Sequence, residues 1–140
     1  MANALVDTGH NTTATLGTST FVSNVTSVGG GQSTRVDVST TYLSTATNHT
    51  FMPGDLSDAG EVTIDYQFDP PAVLLVTGVV ETLTVTLPTA TGFSTAATLA
   101  GTGYIKSVTR PTWVTDSLQM GQFVFKFNGL TGPTYTVASV

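Results

Sequence analysis

The residues able to do chemistry in this chain are few: nine Asp and Glu, two His, four Lys and Arg, and no Cys in 140 residues. The acids gather in one stretch, TFMPGDLSDAGEVTIDYQFDP, residues 50–70. Asp55, Asp58 and Glu61 stand there in a turn-rich loop and could offer oxygen ligands to a hard cation, yet their spacing matches no EF-hand calcium loop. A solvated acidic turn is the plainer expectation. Directly after it, Val62, Ile64, Tyr66 and Phe68 alternate with Thr63, Asp65 and Gln67, the period of a strand with one buried face. Same-face neighbours on a strand lie about 6.7 Å apart, so Glu61, Asp65 and Asp69 form a row of carboxylates about 13 Å from one to the next. No Lys or Arg stands in that row.

The other candidates for chemistry are thinner. His10 lies near the start of the chain and His49 in a polar turn, so a zinc site or a Ser-His-Asp arrangement would need partners from distant sequence. No pair of acids is marked out for sugar hydrolysis. The absence of Cys removes disulfides, thiolate metal sites and thiol nucleophiles. Gly29, Gly30 and Gly31 in SVGGGQSTRVD make a loop and lack the spacing of a phosphate cradle. The triplets at Asn11, Asn24 and Asn48 match the glycosylation acceptor, which a Thr-rich chain produces by chance. Trp113, the only Trp, sits beside proline in RPTWVT and reads as structural or interfacial. The expectation is no enzyme, no metal and no cofactor.

Composition points elsewhere than catalysis. Only 9% of residues are charged, against about 25% in ordinary soluble domains, and mean hydropathy is +0.22. Such a surface is covered by Thr, Ser and Gly or by other protein chains, which favours an oligomer. A net charge of −5 opposes an electrostatic grip on nucleic acid or anionic membrane. MANALVDTGH shows neither a basic nor an apolar leader region, and no apolar run is long enough to span a bilayer.

The elements that must position these residues read as strands. Thr and Val dominate, and Gly and Pro recur between short runs. Strands are expected near residues 12–16, 21–28, 60–68, 81–87, 97–107, 121–127 and 134–137. In LTVTLP, Leu83, Val85 and Leu87 point inward and the threonines outward; in QFVFKFNG, Phe123, Phe125 and Phe127 point inward and Lys126 outward. DPPAVLLVTG, residues 69–78, has an N-cap Asp, first-turn prolines and a closing Gly, and predicts a short helix, with a buried strand as the alternative. One domain of 140 residues is expected, with a flexible N-terminus over about residues 1–10 and a Gly-rich loop at 28–34.

The order of these pieces resembles the tail tube (major tail) proteins of long-tailed bacteriophages. RVDVSTTYLS followed by FMPGDLSDAGEVTIDYQFDP is similar to that family's D-x-[ST]-x-x-L segment, Pro-Gly turn, "G-E" turn and strand ending in F-D-P. LTVTLP with TLAGTGYIKSVT, and RPTWVTDSLQMGQFVFKFNGLTGPTY, continue the likeness over nearly the whole chain. The stretch around 89–97 departs from the family in being short and Ala/Thr-rich. The resemblance implies an antiparallel β-sandwich or partly closed barrel with one short helix, assembling into rings, usually of six, that stack into a hollow tube in the virion after assembly in the host cytoplasm. Its partners would be itself, other tail proteins and DNA in non-adhesive passage, with no membrane. Under that reading Glu61, Asp65 and Asp69 are candidates for the face lining the bore, where carboxylates repel phosphates. Competing readings are a head decoration protein, a baseplate hub component or a carbohydrate-binding β-sandwich.

Overall fold

A computed structural model describes residues 12–19, 25–42, 47–68, 74–89 and 93–139. Nine strands follow in order: β1 Thr13–Leu16, β2 Val25–Gly29, β3 Thr34–Ser39, β4 Phe51–Asp58, β5 Glu61–Gln67, β6 Glu81–Thr86, β7 Thr98–Thr109, β8 Met120–Phe127 and β9 Thr134–Thr136. All pair antiparallel. Seven form one sheet in the order β1-β6-β7-β8-β5-β2, with β9 beside the first half of β7. The remaining two, β3 and β4, make a separate hairpin.

Alternation decides which face the main sheet buries. Val62, Ile64 and Tyr66 on β5, Leu83 and Val85 on β6, and Phe123, Phe125 and Phe127 on β8 are all buried. Each such side chain contributes about 1.5–3 kcal/mol by leaving water. The register sets Val62 opposite Phe125 and Ile64 opposite Phe123. Tyr66 meets Phe123 at 5.9 Å between ring centroids, and Phe125 meets Phe127 edge-on at 5.5 Å. The rings need floor space. A Cβ at Gly101 would fall 2.8 Å from the Phe127 ring, and one at Gly103 would lie 2.9 Å from the Phe125 ring and overlap the Lys126 carbonyl. Those two glycines of β7 let the phenylalanines lie against bare backbone. Among the described residues no second sheet covers this core, and the seven-stranded sheet supplies it, so the fold is mainly β and antiparallel, a partly closed barrel. The two ends of the sheet order face each other across a cleft of about 420 Å³ lined by Thr12, Val25, Val28, Val85 and Leu99.

Two expectations change. Residues 74–80 are irregular, and no helix occurs among the described residues; the rest of the expected helix, 69–73, lies outside them. A short helix needs a packed face to offset its nucleation cost. Here only Leu74 is buried, Leu75 and Val76 face solvent, and Val76, Thr77, Val79 and Val80 are β-branched. The second change is the acidic loop, which is strand β4, with Pro53 and Gly54 inside it rather than at a turn. Pro53 stands opposite Asp37 beside a register shift, and a two-stranded ribbon consists only of edges, where proline is tolerated.

Candidate assembly interface

The solvent face of β5 carries Glu61, Thr63 and Asp65 as expected, but the neighbouring strands supply what β5 itself lacks. Lys106 of β7 meets Glu61 at 2.9 Å, and Lys126 of β8, directly opposite Glu61 in register, meets Asp58 at 2.7 Å. Gln122 donates to Asp65 Oδ1 at 2.7 Å across the same pair of strands. The row is therefore not cation-free in the folded state: Glu61 is ion-paired with Lys106, and Asp65 accepts from the Gln122 amide. Asp69, its third member, lies outside the described residues. Beyond this corner the same face is hydroxyl-rich, with Thr82 opposite Thr102 and Thr86 between Thr13 and Thr98.

Asp55, Asp58 and Glu61 do not converge on a cation. Among the described residues no cluster of three or more potential ligands occurs, and Asp58 is taken up by Lys126 and by the Gly60 amide at 2.7 Å. The Lys126 hydrogen bond, then the Gly60 one, hold the Asp58 carboxyl below its ordinary range, and Asp58 in turn raises the Lys126 ammonium. The contact is lost only when acid protonates Asp58, below the ordinary carboxylate range, or base deprotonates Lys126, above the ordinary lysine range. His49 is exposed and His10 lies outside the described residues.

The Asp58–Lys126 contact sits at the neck where the β3–β4 hairpin leaves the main sheet. The two connecting segments run side by side there and each carries a glycine in the left-handed region, Gly31 at φ 72° and Gly60 at φ 85°. A Cβ on Gly31 would overlap the Glu61 carbonyl, and one on Gly60 the Gln32 carbonyl. Past the neck the hairpin exposes Val36, Val38, Phe51, Met52 and, at 86%, Leu56. Arg35 braces it by donating to the carbonyls of Gly54 (2.6 Å) and Asp55 (3.0 Å). A two-stranded ribbon is marginal by itself in water, and this one shows apolar side chains to solvent.

A second apolar surface lies at the other end of β5. Phe68, Leu74, Leu75, Val108, Pro111 and Trp113 line a cleft of about 220 Å³ with Arg110 at its edge. Trp113 meets Phe68 edge-on at 6.4 Å, donates from Nε1 to Gln119 at 3.1 Å, and stays 62% exposed. Leu75 in the cleft lining, and Val114 and Leu118 near Trp113 in sequence, are exposed.

Sequence reasoning missed Glu81. It shares the inward phase of Leu83 and Val85, a signal readable in ETLTVT, and is 5% exposed. Its Oε2 accepts from Ser19 Oγ at 2.9 Å and from the Ser19 amide at 3.3 Å, while Oε1 has no partner. The carboxylate thus ties the segment after β1 to the start of β6. Ser19→Ala removes the stronger donor from a buried acceptor and is expected to cost about 1–3 kcal/mol in urea unfolding. A midpoint unchanged within error would mean that Glu81 reaches water and latches nothing.

No protein-family model matches the chain, and no similar sequence is found among curated proteins. Solved structures do match. A cryo-EM structure of an extracellular contractile injection system, the PVC sheath/tube terminator in its extended state, contains a chain 15% identical, with a TM-score of 0.66 over 91% of this chain and 96% of that one. The tube-terminating cap of the anti-feeding prophage gives 16% identity and a TM-score of 0.66 over 100% and 95%. The PVC sheath–tube complex gives 15% and 0.65 over 93% of each chain. At such identities the likeness concerns the fold, and the fold that this chain shares end to end is that of chains in phage-tail-like tube assemblies.

Proposed function

We propose that the chain is a structural subunit of a hollow phage-tail tube, forming rings of six that stack and let DNA pass without binding it. The observation that carries this reading is the likeness over 91–100% of the chain to chains of tube assemblies. The surface chemistry agrees with it. The outer edges of β1 and β2 have no strand partner among the described residues and carry no Lys or Pro to discourage pairing. A ring uses such edges, because a heterologous contact that closes satisfies each of them in the neighbouring copy. Electron microscopy of the concentrated protein tests the proposal: open-ended tubes with a central channel are expected, and a monodisperse monomer at every concentration would overturn it. A tube-terminating ring is the second reading, favoured because two of the similar structures are a terminator and a cap; isolated rings that never elongate would select it.

Within the tube, the β5 face that carries Glu61 and Asp65 lines the bore; Asp69, which the sequence sets in the same row, lies outside the described residues. Asp65 is the informative position, since Lys106 already offsets Glu61. Asp65→Lys changes each subunit by two charges, roughly twelve in a ring of six, in a channel where screening is weak. Tubes are expected to assemble, because Asp65 points away from the core, and to retain short duplex DNA in a manner that salt releases. Intact variant tubes that hold no DNA at low salt would move this face to the outer wall.

A further inference from the structure

The two apolar surfaces sit at opposite ends of the same strand. The hairpin joins β5 at Glu61 through Ala59 and Gly60, while Tyr66 and Phe68, at its far end, line the Trp113 cleft. Seven residues of strand separate them by about 20 Å. Each is the wrong thing to leave in water. The hairpin presents Val36, Val38, Met52 and Leu56, and the cleft presents Leu75 and Trp113.

We propose that the β3–β4 hairpin of one copy docks against the Trp113 cleft of the next. This rests on the reading of the chain as a tube subunit and names the contact by which one copy stacks on another. Two different patches at opposite ends of one molecule make a head-to-tail contact, which, stacking copies end on end along β5, builds a filament rather than a closed ring. A copy of the same chain is the occupant that the charges favour. Arg110 is the only charged residue lining the cleft, and it forms no ion pair among the described residues. The hairpin carries Asp37 and Asp55, likewise without ion pairs there, while its own cation, Arg35, is turned onto the Gly54 and Asp55 carbonyls. Apolar side chains flanked by carboxylates thus meet an apolar cleft flanked by a guanidinium. Trp and Arg together are also the residue types on which interfaces concentrate their binding energy.

The chain has no cysteine, so a pair can be placed without background. Leu56→Cys on the hairpin and Val114→Cys beside Trp113 substitute side chains that are 86% and 58% exposed. Under mild oxidation the double variant is expected to give a ladder of covalent multimers, and a mixture of the two single variants mainly a heterodimer. Trp113→Ala is expected to raise the concentration needed for half-assembly about tenfold or more. The contact is overturned if the double variant gives no ladder while micrographs still show tubes, a result that leaves the tube reading standing. It is equally overturned if Leu56→Cys alone links to itself as fast as it links to Val114→Cys. Absence of both ladder and tubes sinks the tube reading together with the contact.

Discussion

Phe125→Ala is expected to cost about 3–5 kcal/mol and to leave little folded protein, because it opens a ring-sized cavity in the middle of the core. A domain of this size is stable by about 5–15 kcal/mol, so this single truncation removes a large part of the margin. The ring is 0% exposed, lies over Gly103 and meets Phe127 edge-on. It stands between Val62 on β5 and Ile105 on β7 in register. The neighbours cannot collapse inward to fill the gap, since Gly103 offers no side chain and Val62 and Ile105 are fixed by their own strand pairing. Denaturant unfolding measures the loss. A midpoint equal to that of the unsubstituted protein would show that the wrapped sheet does not draw its stability from this ring.

That core was legible in the sequence because strict alternation carries its own phase. QFVFKFNG, LTVTLP and EVTIDYQF name buried residues by parity, and the structure buries Phe123, Phe125, Phe127, Leu83, Val85, Val62, Ile64 and Tyr66, while Leu87, expected inward by the same parity, lies past the end of β6 and is exposed. The hairpin was not legible for the complementary reason. Strands β3 and β4 are almost wholly exposed on both faces, so burial imposes no period on them, and Pro53 and Gly54 carry the local signals of a turn. The helix expected from the cues at Asp69, Pro70 and Gly78 does not form over 74–78, its described part, where Leu74 alone is buried and no packed face offsets nucleation.

The acidic face shows a different limit. Reading along one strand finds Glu61 and Asp65 without a cation, but Lys106 and Lys126 arrive from β7 and β8 at 45 and 65 residues' remove in sequence. Cross-strand pairing depends on register, and register is a property of two segments at once. Glu81 teaches the reverse. Its parity with Leu83 and Val85 placed it on the inner face in plain view, and only the habit of treating carboxylates as surface residues hid it.

Gly60→Ala should leave the main sheet folded and abolish assembly. An alanine in the left-handed region costs about 1–2 kcal/mol, and at Gly60 its Cβ would also overlap a backbone carbonyl, that of Gln32, which has no rotamer by which to yield. The core strands keep their own register through β5 and β8, although the Phe127 amide also donates to the Gly60 carbonyl at 3.2 Å. The hairpin's departure angle is set here, since Gly60 packs against Gln32 and Gly31 against Glu61 where both connections leave the sheet. Relief of the overlap must therefore swing the hairpin and carry Leu56 and Met52 away from their places. Two controls separate the causes. Gly78→Ala meets the same left-handed strain at φ 75° in open space, and Gly30→Ala lies beside the neck with nothing within 4 Å. Circular dichroism of the Gly60 variant should match the parent while sedimentation and micrographs show no tubes, and both controls should polymerise. Assembly of Gly60→Ala at the parent's concentration would mean that the hairpin's angle at the neck is not what positions one copy on the next.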